Sequence, residues 1–509
     1  VNPTRRQILG GALATGAVLG LDGVGFLSRL PRVSAAEAAL PTSLVKLDDA
    51  IEPMVHLLEE TPREKLLEEI AGRILKGTNY REVLTALLLA GVRNVQPRPH
   101  VGFKFHAVLV VNSAHLASKA SPDTDRWLPI FWALDYFKVA QATTQHESGW
   151  RMNAVDEKRV PTKEKAVDAF VAAMNAWDES AADAAAAGAA RTCDAKQAFE
   201  LFARFGPRDF RDIGHKQIYV ANSFRTLSVI GWQHAEPVLR SLAYALLMFE
   251  DHNPAHADLD ADRPWKRNAQ LAPKIREQWS EGKLDDGATK KMLATLRSAP
   301  SSDSAEQVVE LLNANVSPQS VWDAVLCGAG ELLMHHPNII SLHAVTTSNA
   351  MHYAFSASND DHTRRMLMLQ SAAFLPLFRD ASGGADKKVR LDEFEPIATK
   401  ASGDGAVGEI FDTAGEDRTK AAAKAFSYLR DGGDAKAMIH AARRLVFLKG
   451  NNSHDYKFSS AVLEDYDHLS PAWRDRYLAS SLYLLPTSRQ ADNALVRRTR
   501  AALDSKEGS

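Results

Sequence analysis

Past about residue 40, apolar residues return every three or four positions in segment after segment: 80–92, 126–141, 235–250, 361–377 and 434–448. That period matches the 3.6-residue turn of a helix and not the two-residue alternation of a strand. No series of alternating β-branched runs interrupts it, which argues against a sheet-based core. Helix starts are also written locally. Thr61-Pro62-Arg63-Glu64 reads as a capping box with proline at the first helical position, and Ser317-Pro318 and Ser470-Pro471 open helices in the same way. The Ala-rich segment 164–190 reads as a helix with a polar face, placed at the surface. Breaks rich in Gly, Pro and Asp fall near 205–214, 251–265, 299–304, 379–390 and 402–408. With 509 residues, 45% of them hydrophobic, the chain can bury a substantial core. The expected fold class is all-α, a large multi-helix bundle.

Several function classes drop out early. A net charge of -2 with no long basic run argues against nucleic acid as the main partner. The only two cysteines, Cys193 and Cys327, make neither a disulfide framework nor a Cys-based metal motif, and can pair or stay free. No G-x-G-x-x-G follows a strand and no P-loop occurs, so the chain carries no dinucleotide-binding motif of its own. H-E-x-x-H and G-x-S-x-G are absent too. At the N-terminus, Thr4-Arg5-Arg6-Gln7-Ile8-Leu9 reads as a twin-arginine export signal, followed by an apolar stretch from Gly10 to Leu21 and small residues at Val33-Ser34-Ala35-Ala36 for cleavage. The apolar stretch is too short and too rich in Gly and Ala for a permanent membrane span. The expectation is a partner in the twin-arginine export machinery and a periplasmic or extracellular location. That route carries folded proteins, often with a cofactor already inserted.

The chain's chemistry is concentrated in its histidines. His106-Ala107-Val108 to His115 recurs as His343-Ala344-Val345 to His352, both reading H-A-V-x-x-x-N-x-x-H, in a chain with 17 histidines. Imidazole on buried helices is the material of metal sites in helical bundles, although each such histidine taken singly also fits a satisfied core residue. Residues nine apart lie half a turn from each other on a helix, so only one of each pair can face a given point. His106 and His343 are the better candidates because they open their helices, as does His215 in Ile213-Gly214-His215. His115, His234 and His352 are secondary candidates. Asn112 shares a face with His115 and Asn349 with His352, so each pair is expected to hydrogen-bond. His454 and Lys457 lie three apart on a fourth helix. On spacing alone Lys457 reads as an ordinary surface lysine beside a capping histidine; a buried lysine with a depressed pKa can instead take up carbon dioxide as a carbamate, an oxygen donor. Asp135 and Lys138 are expected to pair in the core. Asp251 to Asp258 reads as a polar loop, and His335-His336 as a helix end where a cationic imidazole suits the dipole.

Taken in order, Phe105-His106, Ile213-Gly214-His215, Leu342-His343-Ala344-Val345-Thr346 and His454-Asp455-Tyr456-Lys457 resemble the questin oxidase-like family over roughly residues 98–465. The resemblance implies an all-helical oxygenase acting with dioxygen on aromatic or polycyclic small molecules. It also implies a non-haem Fe(II) held by His106, His215, His343, His454 and Lys457, the lysine as its carbon dioxide adduct. The export signal and the single histidine at the head of the first helix depart from the family pattern. Phe103, Phe105, Trp127, Phe131, Trp132 and Trp232 are expected either to wall a flat substrate pocket, with Phe105, Trp132 and Trp232 foremost, or to be plain core. The chain then divides into a signal peptide at 1–36, an N-terminal helical segment at 37–97, a helical catalytic domain at 98–486 and a C-terminal helix or tail at 487–509. Two other readings stand beside the oxygenase. One is a metal-binding or scaffold protein with structural histidines. The other is a non-covalent haem protein, covalent haem being excluded by the lack of C-x-x-C-H.

Overall fold

The computed structural model describes residues 51–97, 103–123, 125–247, 253–384 and 389–496. The twin-arginine segment and its cleavage site lie outside the described residues, as does the tail from 497 onward. Among the described residues there is no strand. The one β-type contact is an isolated bridge between Lys283 and Val316. The five periodic segments coincide with helices Tyr80–Asn94 (α1), Trp127–Glu147, Ala235–Leu246, Asp361–Ser382 and Ala435–Lys449, the end of the third segment at 248–250 lying outside the described residues. No described helix is long and apolar enough to cross a membrane.

Short polar side chains set where many of these helices begin. Asn79 accepts from the Glu82 amide while Glu82 reaches back, and Asp194 with Gln197, Asn338 with Ser341 and Asn452 with Asp455 do the same. Ser317 caps its helix through the Gln319 amide as expected. The Thr61 capping box does not form. The Thr61 hydroxyl donates instead to the Leu57 carbonyl of the preceding helix at 2.6 Å, and the next helix opens at Arg63 with no side-chain cap. The Ala-rich segment is two helices, Ala166–Ala176 and Glu179–Thr192, and the second is not a surface helix: every residue from Ala184 to Ala189 is buried, because methyl side chains allow close approach to neighbouring helices on all sides. Asp135 and Lys138 do not pair. Asp135 meets Arg63 at 2.7 Å, and the Lys138 ammonium donates to the carbonyls of Leu58 and Glu59. One continuous apolar cluster runs from Val55 to Val496, so residues on both sides of position 98 share a core.

Four helices at the centre decide the site. They are His106–Ala120 (α2), His215–Ile230 (α3), Ile339–Ala357 (α4) and Ser453–Asp465 (α5). They pack in a closed ring, α2 on α3, α3 on α4, α4 on α5 and α5 on α2. All four run the same way, as their cross-links show. One to two turns below the histidines, Ser113 meets Ser460 at 2.8 Å and Asn112 donates to Asn222 at 3.4 Å. Further down, Arg225 donates to Asn349 at 3.0 Å and to Glu464 at 2.7 Å, and Asn349 donates to Asp465 at 2.8 Å. Parallel neighbours cannot be joined by short turns, so the remaining helices serve as crossovers and cladding. The two asparagines of the repeated motif therefore bond across to other helices and not to the histidines three residues on. The neighbouring helix offers a closer partner.

Candidate metal centre

Parallel packing brings four helix N-termini to one place, and each carries a histidine there. His106 and His215 open α2 and α3, His343 lies in the first turns of α4, and His454 is the second residue of α5. His215 is the hub. Its Nε2 lies 2.9 Å from His106 Nε2, 2.9 Å from His343 Nε2 and 3.4 Å from Lys457 Nζ. The ligand atoms of His106, His215 and His343 all lie within 4.8 Å of one another, and all three residues are buried. His454 stands against them ring to ring, its centroid 4.4 Å from that of His106 and 5.3 Å from that of His343. Lys457 is 2% exposed, which removes the surface-lysine reading.

The proton inventory of the hub is informative. His215 Nδ1 lies 2.8 Å from the Asp212 carbonyl, and His343 Nδ1 lies 2.6 Å from the Ile339 carbonyl. A carbonyl only accepts, so both Nδ1 atoms carry the proton and, in the neutral rings, both Nε2 atoms present lone pairs. Two lone pairs facing each other at 2.9 Å repel unless a proton or a cation lies between them. Fixing Nδ1 on a backbone carbonyl to aim Nε2 inward is how metal-binding imidazoles are held. The donor set therefore fits a metal ion that prefers nitrogen.

Local backbone explains how His215 is aimed. Asp212 and Ile213 take left-handed conformations (φ 58° and 45°), followed by Gly214 at φ 82°. Left-handed backbone is costly for a β-branched residue such as isoleucine. Here it folds the Asp212 carbonyl back onto the ring it orients, with the Asp212 carboxylate 3.6 Å from the same Nδ1. Sequence reasoning missed Asp212. Its signal was an acidic residue three positions before a candidate ligand.

Burial controls the charge of these groups. Loss of water, reinforced by Lys457 and His215, holds the His106 imidazolium well below its ordinary range. Burial followed by His215 and Lys457 does the same for His343. His454 is pushed down to about 3, mainly by burial, and the Lys457 ammonium down to about 7, against a smaller opposing pull from Asp212. His106, His343 and His454 are thus neutral ligands at physiological pH. A consequence for stability follows from the sign. Between the folded value and 6.5 the unfolded chain binds more protons, so stability falls as pH drops through that window. His115, held at about 4, and His352 and His454, each at about 3, contribute together. The metal-free protein is expected to lose about 1.4 kcal/mol per pH unit for each such histidine below pH 6.5, at most. Thermal melts from pH 7 to pH 4 test this; a flat profile contradicts it.

The secondary candidates lie elsewhere. His115 and His352 sit nine residues along their helices, about 13 Å from the site. His115 Nδ1 meets the Tyr80 hydroxyl at 3.0 Å, and His352 packs on Trp322 and His468. His234 is buried in the turn of 3-10 helix after α3, beyond the opposite end from His215. Of the expected aromatic wall, Phe105 is fully buried against Tyr219, and Trp132 stacks at 3.8 Å on Tyr456, the residue before Lys457. Trp232 does not join them. Seventeen residues separate it from His215, about 25 Å along the helix axis, and it packs on Phe224 instead. Trp127 and Phe131 pack on each other, with Trp127 against Tyr80. The side chain of Phe103 lies outside the described residues. Both cysteines are free and buried. His335 donates its ring N–H to the Val389 carbonyl, at the end of its helix.

No protein-family model, curated protein or solved structure matches this chain.

Proposed function

We propose that this chain is a non-haem iron oxygenase acting on an aromatic small molecule, its metal held by His106, His215, His343 and His454 with Lys457 as a carbamate. The observation that carries the reading is the convergence of three buried Nε2 atoms, two of them fixed as lone-pair donors facing each other at 2.9 Å. Imidazole with an oxygen donor suits iron, and a bound ferrous ion supplies the one-electron chemistry that dioxygen requires.

The chain's own residues do the rest. The Asp212 and Ile339 carbonyls orient two rings, and the buried Tyr456–Trp132 stack packs on the helix that carries His454 and Lys457. As an ammonium, Lys457 has no lone pair and repels a cation. As a neutral amine it adds to carbon dioxide, forming an N–C bond and releasing one proton to solvent. The resulting anion lies where four helix N-termini point their positive ends, a field that favours negative charge. The reading includes export of the folded protein through the signal at Thr4 to Leu9.

Metal analysis of the purified protein tests it. About one iron per chain, absent from His343→Ala, is the expected result. A Soret band transfers the site to haem, and a folded chain that takes up no metal leaves the histidines structural and sinks the proposal.

A further inference from the structure

Beside the metal centre, three oxidisable rings lie face to face. Trp132 and Tyr136 are four apart on the helix Trp127–Glu147, a spacing that puts them on one face. Their ring centroids lie 5.1 Å apart, with the planes 19° from parallel. On the other side stands Tyr456 of α5, 3.8 Å from Trp132 and 21° from parallel. The inner end of this stack shares a turn of α5 with two proposed ligands, Tyr456 being two residues after His454 and one before Lys457. Tyr456 is 1% exposed and Trp132 8%, whereas Tyr136, at the outer end, is half-buried.

Packing alone does not account for these residue types. The Tyr456 hydroxyl is buried and has no hydrogen-bond partner, which costs about 1–3 kcal/mol. Phenylalanine would fill the same place without that cost. What the hydroxyl adds is an electron-rich ring, which gives up an electron more readily than phenyl does. With no acceptor for its proton, Tyr456 cannot keep the resulting charge and hands it on. Trp132 gives up an electron without having to lose a proton. Tyr136 has an outlet for its own, since its hydroxyl donates to Ser453 Oγ at 3.4 Å. Oxidation is therefore easier to hold toward the half-buried end of the stack.

We infer that Tyr456, Trp132 and Tyr136 form a one-electron relay between the metal centre and the surface. The inference rests on the iron reading. When peroxide meets the ferrous centre with no organic substrate in place, the two electrons that reduce it come from the iron and from the relay. Trp132 gives one electron to the centre across the Tyr456 ring. Tyr136 replaces it and releases its phenolic proton to solvent, with Ser453 Oγ as first acceptor. In sum, peroxide, a ferrous ion, the Tyr136 phenol and one proton yield two waters, a ferric ion and the Tyr136 phenoxyl radical. The relay draws oxidising power away from the imidazoles that hold the metal.

Electron paramagnetic resonance of the iron-loaded full chain, freeze-quenched after mixing with hydrogen peroxide, tests it alongside the iron content of each sample. A tyrosyl signal is expected. Tyr136→Phe is expected to lose it and to show a tryptophanyl signal in its place. Trp132→Phe is expected to lose both, and each variant keeps its iron. If Trp132→Phe fails to fold, Tyr136→Phe decides. An iron-loaded chain that forms no aromatic radical, or whose tyrosyl signal survives in Tyr136→Phe, overturns the relay and leaves the iron reading standing. A chain that takes up no iron overturns both.

Discussion

His215→Ala is expected to lower metal affinity by roughly 100-fold or more, beyond the 10–100-fold typical of losing an outer-shell partner. Among the described residues, His215 alone has its Nε2 at 2.9 Å from two other imidazole nitrogens and at 3.4 Å from Lys457. Removing it leaves His106 and His343, whose ring centroids are 6.4 Å apart, with no imidazole nitrogen bridging them. The metal-free variant is expected to remain folded, because the deletion also removes the repulsion between facing lone pairs. Two readouts check this without any assay of turnover. One is metal content after dialysis. The other is the melting-temperature rise on adding ferrous iron, about 2.7 kcal/mol of stabilisation at a hundredfold excess over the dissociation constant in the unaltered chain. His56→Ala, on an exposed surface helix, serves as the control. A His215→Ala chain that keeps its metal removes His215 from the site.

Gly214→Ala should be the most damaging single methyl addition near the centre. At φ 82° the backbone is left-handed, and a Cβ there meets Thr347 Oγ1 at 2.1 Å, Cγ2 at 2.7 Å and Cβ at 2.9 Å. The conformation alone costs an alanine about 1–2 kcal/mol, and overpacking against α4 adds about 1–3 kcal/mol. Since this turn aims His215, the loss should appear in metal affinity as well as in the urea midpoint. Thr347→Ala in the same chain deletes two of the three clashing atoms. It is expected to return the packing share and leave the backbone share. A Gly214→Ala chain within about 0.5 kcal/mol of the parent, the range of ordinary surface substitutions, shows that the turn is not held as described.

Part of the site was readable along the chain because it depends on neighbours in sequence. The H-A-V-x-x-x-N-x-x-H repeat offered two histidine pairs, helix geometry allowed only one of each pair to face a site, and a place at the helix start favoured His106 and His343. His215, His454 and Lys457 entered through the order of short motifs. The turn at 212–214 was hidden, because left-handed conformation at Asp212 and Ile213 has no compositional mark beyond the glycine that follows. The Thr61 box and the Asp135–Lys138 pair were locally sensible and lost to partners distant in sequence, since a group takes whichever partner its folded surroundings bring nearest.

The sequence by itself determined that this protein is built from helices, because a 3.6-residue apolar period is a local property that each segment carries alone. It also determined which residue types were available for a metal. Only the tertiary structure decided that four helices run parallel with their N-termini together. That arrangement depends on interhelical contacts such as Asn349 to Asp465 and Ser113 to Ser460, between residues more than a hundred positions apart. It turns scattered histidines into one buried cluster.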